Sequence, residues 1–449
     1  MKLFFSGILI WLTINSIYPQ GDSTISAVNP GNYITFKHNG FILNNSLFFP
    51  IGWYDDVRSQ LDYTSHFERI VATGANLVLP YYQFLMDTNK SPSDYYKILK
   101  KYLDAASKAH LLVVVQLPSR FYRSDFFPDK GVTEQEGNDF VDYLVPRLKD
   151  HPALFGWYLV DEPEAPPQKN GWTTAILRKR YLRIKGIDAR HPVFICYGLA
   201  NNSDTGEEVP TLNKGLPSLT SNDIFYDVLM EDRYLIDTNS TSPSPALGLI
   251  DNCMKSLAQR YKDDGRNSTS GATIVIVQAY GLGFGEPHRD PTAVEIKYLI
   301  FSYLAYAQDP DYCIPGGKAG GIFWWRQGIT TPALRGSITD FTRYFITNKI
   351  ANIIAQPNIN NLILNNTNSI KTFLRYYKDS YYLFAMNQSD ISQAKQDITL
   401  NIGAYNDCNE IVVSGNPIQK TLNFIRNGNY ILEDTFTPRE CKLYKIRNK

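Results

Sequence analysis

The amino-acid sequence predicts a parallel (β/α)8 TIM barrel followed by a small all-β sandwich. Eight short apolar segments alternate with helical segments over most of the chain, and the last hundred or so residues change to short alternating strands. At 449 residues the chain is long enough for two domains. Its 43% hydrophobic and 20% charged residues are typical of globular domains with a sizeable core.

The first 21 residues have the pattern of a secretory signal peptide. A basic residue, Lys2, precedes an apolar run from Leu3 to about Leu12 and a polar exit at Gln20. We expect residues 1–21 to be removed and the mature chain to be secreted, with an uncleaved anchor as the alternative because no Ala-x-Ala site is visible. No later segment is apolar enough to span a membrane. Asn-x-Ser/Thr sequons fit a glycoprotein, among them those at Asn44, Asn201, Asn239, Asn267, Asn365 and Asn387.

Residues 22–350 carry the pattern of the barrel. A hairpin with an Asn-Gly turn is predicted over Ile34 to Phe49, and helical spacing is visible in Asp94–Ala109 and Gly137–Leu148. The alternative, a doubly wound open sheet, would carry a glycine-rich phosphate loop after its first strand, and the sequence has none there. The predicted barrel strands are Phe48–Trp53, Asn76–Pro80, Leu112–Leu117, Gly156–Val160, Val193–Tyr197, Ile224–Leu229, Thr273–Gln278 and Gly321–Trp325.

Residues 351–449 are predicted to form the sandwich. The helical pattern stops around Asn348–Pro357, and strand-like alternation follows in segments beginning at Lys371, Tyr381, Asp397 and Glu410. No internal repeat or long linker separates the two parts.

Composition and motif searches narrow the function. The net charge of +1, with no basic stripe, gives no indication of nucleic-acid binding. None of the six histidines has a partner at metal-ligand spacing, so we expect no metal and no cofactor. No Gly-x-Ser-x-Gly elbow is present, which makes an amide- or ester-bond hydrolase a distant alternative. The 13% aromatic content, with 30 tyrosines, suits a cleft that stacks sugar rings.

The most informative segment is Gly156–Pro163, an apolar run that ends in Asp161 and Glu162. In a (β/α)8 barrel the carboxyl end of each strand opens onto the active-site face. Glycoside cleavage needs a carboxylic acid of raised pKa to protonate the leaving oxygen, and a second carboxylate beside it helps to raise that pKa. Glu162 is therefore the candidate general acid/base, with Asp161 assisting; the structural alternative is a helix cap at Asp161 and a solvated Glu162.

These segments resemble the clan A glycoside hydrolases over nearly all of the mature chain. The fourth strand resembles their acid/base motif, although Asp161 stands where the clan usually has Asn. The segment Phe48–Tyr54 resembles their first strand, and Gly320–Trp325 resembles the eighth, whose aromatics floor the sugar site. The resemblance implies an oligo- or polysaccharide substrate, with Glu162 as acid/base. It also implies a sugar platform formed by Trp53 and one of Trp324 and Trp325.

The seventh strand departs from the clan because Gln278 occupies the place of the nucleophilic glutamate. An amide can hydrogen-bond a sugar substituent, so Gln278 is a candidate substrate-binding residue. The second carboxylate is then sought at Asp227, near the expected outlet of the sixth strand, or at Glu286. Glu295 is read chiefly as a helix N-terminal acid.

Two further alternatives stay open at this point. One is substrate-assisted catalysis by an acetamido group, and the other is a barrel that binds carbohydrate without cleaving it. The sequence does not indicate the oligomeric state.

Overall fold

The protein is described here by a computed structural model. It covers residues 31–37, 40–55, 62–81, 91–118, 134–163, 173–198, 224–236, 241–244, 247–248, 250, 270–281, 289–306, 320–325, 330–365, 369–403 and 407–447. The predicted signal peptide and Glu286 lie outside the described residues. Within them, no helix is long and apolar enough to cross a membrane.

Eight parallel strands close into a barrel, which confirms the predicted fold class. In chain order they follow three short strands and are numbered β4 to β11. Each pairs with its neighbours in sequence, and β11 pairs with β4 to close the ring. The strands are β4 (Ile51–Asp55), β5 (Leu77–Pro80), β6 (Leu112–Gln116), β7 (Leu154–Asp161), β8 (Val193–Gly198), β9 (Val228–Arg233), β10 (Ala272–Gln278) and β11 (Gly321–Trp325).

All eight predicted strands are present, but the sixth is displaced. It begins at Val228, whereas the sequence pattern placed its start at Ile224. The apolar residues Phe225 and Tyr226, which suggested an earlier start, are buried in the connection before the strand. Their apolar character therefore reflects packing of that connection and not membership of the sheet.

Helices follow six of the eight barrel strands within the described residues. Four of them begin at a side-chain cap, formed by Asp62, Ser91, Thr173 and Thr331, which satisfies backbone N–H groups of the first turn. The helices are α1 (Tyr63–Val71), α2 (Pro92–Lys108), α3 (Glu134–Leu148), α4 (Thr174–Ile187), α5 (Ala293–Tyr306) and α6 (Pro332–Thr347), and a short α7 (Ile350–Ile354) follows them.

The barrel interior is filled at its amino end by phenylalanine rings. The antiparallel strands β1 (Ile34–Lys37), β2 (Gly40–Leu43) and β3 (Ser46–Phe48) cover this end, and the Phe41 ring lies 5.2 Å from that of Phe155. A Cβ atom at Gly156 would lie 2.4 Å from the Phe194 ring, so glycine is needed there for close packing. The described residues therefore fill the amino end, which leaves the carboxyl end of the barrel for a ligand.

Two antiparallel sheets form the predicted sandwich around a shared apolar core. One sheet has the order β12-β15-β19-β18 and the other β13-β14-β20-β16-β17. The strands are β12 (Ile363–Asn365), β13 (Ile370–Tyr377), β14 (Ser380–Asn387), β15 (Gln393–Asn401), β16 (Asp407–Glu410), β17 (Ile418–Lys420), β18 (Leu422–Phe424), β19 (Asn429–Phe436) and β20 (Cys441–Arg447).

The sandwich packs on α5, the helix that follows β10. The Phe301 ring of α5 lies 5.4 Å from that of Phe384, and the Arg439 guanidinium donates to the Tyr298 hydroxyl at 3.2 Å. Barrel and sandwich residues share one buried apolar cluster. The sandwich thus stabilises the side of the barrel that carries the seventh strand.

Candidate active site

The fourth barrel strand, β7, delivers two adjacent carboxylates to the open end of the barrel. The ladder between β7 and β8 shifts register between Tyr158 and Val160, and the strand ends at Asp161. Glu162 follows with φ of 39°, and its N–H donates to the Cys196 carbonyl at 2.9 Å. A non-glycine residue with positive φ carries backbone strain, and such strain is concentrated at functional sites. The strained backbone at Glu162 marks the end of this strand as a candidate active site.

Asp161 is held by two tyrosine hydroxyls. Those of Tyr81 and Tyr158 each donate to one of its carboxylate oxygens. The Tyr158 hydroxyl also lies 3.1 Å from that of Tyr54. Burial raises the pKa of Asp161 above its ordinary value, and the hydrogen bonds that the carboxyl accepts oppose this by less. Hydrogen bonds therefore hold the Asp161 carboxyl in place, and its raised pKa keeps it protonated to a higher pH than an exposed aspartate.

The walls beside Asp161 are aromatic and centre on Trp325, which is partly exposed at the end of β11. Its ring lies edge-on to Tyr54 at 4.8 Å and to Tyr81 at 4.9 Å. The Tyr234 ring stacks near it, at 6.3 Å and 28°. A rigid group of rings beside carboxylates is the arrangement that a sugar-binding cleft uses.

Two of the three expected platform tryptophans do not face this cleft. Trp53 is 0% exposed and donates through Nε1 to the Thr73 hydroxyl at 3.0 Å. Trp324 is also buried, and its ring lies 6.2 Å from that of Trp53. Side chains alternate along a strand, so Tyr54 and Trp325 point inwards and their neighbours Trp53 and Trp324 pack against the helices. The prediction is thus wrong for Trp53 and Trp324, while Trp325 remains a predicted platform residue.

The side chain of Gln278 hydrogen-bonds to the backbone of two loops and does not face the cleft. Its Oε1 accepts from the Ile236 N–H at 3.2 Å, and its Nε2 donates to the Ile236 carbonyl at 3.1 Å. The same Nε2 lies 3.1 Å from the carbonyl oxygen of Tyr280 and 3.2 Å from that of Arg289. With 0% of its surface exposed, the side chain joins the loops after β9 and β10. The expectation that Gln278 binds substrate is therefore corrected to a loop-fixing role.

Asp227 lies at the wrong end of the barrel for catalysis. It precedes β9, and its carboxylate accepts from the Tyr181 hydroxyl and the Val193 N–H, each at 2.9 Å. The Lys185 ammonium lies 3.2 Å away. The prediction placed Asp227 near the strand outlet because it started the strand too early. These contacts give Asp227 a structural role at the amino end of β8 and β9.

Glu295 has the structural role that the sequence favoured. It is in the first turn of α5, and its Oε2 accepts from the Thr292 N–H at 2.8 Å in a capping box. The Arg289 guanidinium lies 2.6 Å from Oε1, which also accepts from the Ser244 N–H at 2.7 Å. Burial acts to raise the pKa of Glu295, but the hydrogen bonds from Arg289, Thr292 and Ser244 outweigh it and hold the pKa below its usual value. Paired in this way, Glu295 is no candidate for the second carboxylate.

Asp232 was not among the predicted site residues; it lies near the carboxyl end of β9 and is partly buried. Val228 and Met230 belong to the apolar cluster inside the barrel, so alternation turns Asp232 inwards as well. A signal was present: the apolar run Val228–Met230 ends in two adjacent carboxylates, as β7 does. The Tyr234 hydroxyl donates to Asp232 Oδ2 at 3.2 Å. Among the residues that the structure describes, no group of three or more His, Cys, Asp and Glu could hold a metal ion.

Comparison with known proteins supports the architecture. No protein-family model matches the sequence, and no curated protein is significantly similar to it. Among solved structures, a family 39 glycoside hydrolase from Bacteroides cellulosilyticus WH2 is similar with a TM-score of 0.50 at 12% identity, over 91% of this chain and 84% of that one. This chain shares the fold of that structure, a (β/α)8 barrel with an all-β sandwich.

Two further solved structures have lower TM-scores. A GH30 endoxylanase from Clostridium papyrosolvens C71 gives 0.46 at 13% identity, over 94% of this chain and 99% of that one. A beta-glucuronidase from an uncultured Clostridium sp. gives 0.43 at 15% identity over 70% of this chain. This chain spans about half, 53%, of the length of that glucuronidase. At these identities the likeness concerns the fold alone, so activity has to be argued from the site.

Proposed function

We propose that the protein is a secreted glycoside hydrolase that cleaves a glycosidic bond in an oligo- or polysaccharide. Glu162 acts as general acid/base and Asp161 assists it. The observation that carries the proposal is the pair of adjacent carboxylates at the carboxyl end of β7, with a strained backbone at Glu162 and an aromatic wall that includes Trp325.

The chemistry follows from the residue types. A glycosidic oxygen is a poor leaving group, and a carboxylic acid in a partly desolvated cleft can protonate it as the bond breaks. When Asp161 is ionised, its negative charge beside Glu162 favours the protonated form of the acid before the reaction. Trp325 and its neighbouring tyrosines offer flat apolar surface for the sugar ring and hydroxyl groups at its edge.

The rival function is carbohydrate binding without cleavage. It is favoured by one observation: Gln278 stands where the related hydrolases carry a nucleophile, and its amide holds loop backbone. A barrel with no second catalytic carboxylate would bind oligosaccharides and release no product. Calorimetric binding of a glycan together with unchanged reducing-end content over many hours would favour this rival.

The test is the variant Glu162→Gln, measured as release of reducing ends from xylan, mannan, β-glucan, starch and chitin. Loss of a general acid lowers the rate by about 10²–10⁴-fold, and the loss is smaller on aryl glycosides whose phenol leaves without protonation. Glu68→Gln on the exposed face of α1 is the matched control and should keep the wild-type rate. An unchanged rate in Glu162→Gln would overturn the assignment.

Secretion is tested separately with the native N-terminus. The full chain, expressed in a eukaryotic secretory host, should accumulate in the medium without residues 1–21 and with mass added at its sequons. Recovery of the intact chain from the cell pellet would contradict this part of the proposal.

A further inference from the structure

Glycosidic cleavage with Glu162 as acid/base usually involves a second carboxylate, and the proposed function leaves that residue unassigned. The contacts of the described residues reduce the number of candidates. Gln278 is an amide that holds loop backbone, and Glu295 is paired with Arg289. Asp227 lies at the amino end of its strand. Asp232, in contrast, lies near the carboxyl end of β9 on the inward-facing side.

A single strand, β8, separates Asp232 on β9 from the carboxylates at the end of β7. In the ladder of β8 and β9, Asp232 pairs with Gly198, so β8 contributes only backbone at this level. Two residues towards the amino end, Met230 pairs with Cys196, which in turn pairs with Asp161. Asp161 and Asp232 are thus two strands apart, which corresponds to about 10 Å along the barrel wall.

Asp232 also belongs to the aromatic wall of the cleft. It accepts a hydrogen bond from Tyr234, whose ring stacks near Trp325 at 6.3 Å and packs edge-on to Tyr280 at 5.3 Å. The charges of both Asp161 and Asp232 act on the hydroxyl of Tyr54 and contribute to its raised pKa, although burial contributes most. Both aspartates therefore lie within electrostatic range of the same tyrosine hydroxyl.

We propose that Asp232 is the second catalytic carboxylate and acts as general base in an inverting hydrolysis. This inference rests on the proposed function. Inverting glycosidases keep their two carboxyl groups about 6.5–9.5 Å apart, which leaves room for a water molecule. Strands β7 and β9 are about 10 Å apart, which is nearer to that separation than to the about 5–5.5 Å of retaining glycosidases and favours a general base over a nucleophile.

The step balances without any other reactant. Glu162 gives its proton to the glycosidic oxygen as the bond from that oxygen to the anomeric carbon breaks. Asp232 takes a proton from water, and the water oxygen forms the new bond on the opposite face of the sugar. The products are an alcohol and a hemiacetal of inverted configuration. Exchange with solvent returns Asp232 to its carboxylate and Glu162 to its acid.

The first measurement is the anomer of the product, read by proton NMR within minutes of adding wild-type enzyme to the polysaccharide that it cleaves. The expected result is inversion. Asp232→Asn and Asp232→Ala should each lower kcat/KM by about 10²–10⁴-fold with an unchanged thermal midpoint. Azide needs no proton removal, so sodium azide should restore turnover in Asp232→Ala and give a glycosyl azide of inverted configuration. The control is Asp340→Asn, which makes the same substitution on the exposed face of α6.

The outcomes separate this inference from the function on which it rests. If Asp232→Asn keeps the wild-type rate while Glu162→Gln is inactive, Asp232 is not the second carboxylate and the hydrolase proposal stands. A product of retained configuration would also overturn the general-base role. If the wild type binds glycans but cleaves none of the five polysaccharides, the hydrolase proposal itself fails, and the inference fails with it.

Discussion

Replacing Gln278 by glutamate separates two explanations of this residue. If Gln278 were a degenerate nucleophile in an otherwise intact cleft, Gln278→Glu would restore a carboxylate and raise activity at little cost in stability. The structure gives a different expectation. The Nε2 group faces three carbonyl oxygens, and Oε1 accepts from one backbone N–H. A carboxylate in this place keeps the acceptor and loses the donor.

The size of the effect follows from these contacts. An ionised glutamate would be buried against three carbonyl oxygens without a cation, and an uncompensated buried charge costs about 3–5 kcal/mol. Protonation would relieve part of this, because a neutral acid donates one hydrogen bond. Burial raises the pKa of such a carboxyl, so the unfolded chain ionises first as pH rises. The destabilisation should therefore be larger at pH 8 than at pH 5.

Urea unfolding followed by circular dichroism at both pH values measures this difference directly. The control is Gln135→Glu on the exposed face of α3, where a like-charge neighbour four residues away costs only about 0.5 kcal/mol. The reasoning would be refuted if Gln278→Glu were as stable as wild type at pH 8, and a gain in hydrolysis would show a degenerate nucleophile.

Two other predictions concern the cleft. Burial raises the pKa of Asp161 in the folded state, so its ionisation lowers the stability of the wild type as pH rises. The unfolding free energy of Asp161→Asn relative to wild type should therefore increase from pH 3 to pH 7. A constant difference in urea titrations would contradict this. Trp325→Ala should raise KM about tenfold, the equivalent of about 1.4 kcal/mol, with little change in the thermal midpoint. Trp53→Ala should lower the unfolding free energy by about 3–5 kcal/mol and leave KM unchanged, and equal KM effects in the two variants would refute the assignment of faces.

Local patterns were sufficient to predict the architecture. Buried parallel strands read as continuous apolar runs, and the eighth, Gly321–Trp325, is observed with the predicted bounds. The sixth strand was misplaced for two reasons. The apolar connection Phe225–Tyr226 resembles a strand in sequence, and Glu231 and Asp232 interrupt the apolar pattern at the carboxyl end of the real strand. An apolar segment indicates burial, and both strands and the connections that pack beneath them are buried. Apolar character alone therefore does not distinguish the two.

The composition of the site was visible in the sequence, but the direction of each side chain was not. The sequence by itself determined the barrel, the sandwich and the carboxylate pair Asp161–Glu162, because these depend on periodicity and on which residues end an apolar run. Only the tertiary structure decided that Trp325 faces the cleft while Trp324 packs outwards. It also decided that Gln278 holds two loops. A shift of one residue along a strand reverses every side chain, and that register is set by pairing between strands distant in sequence.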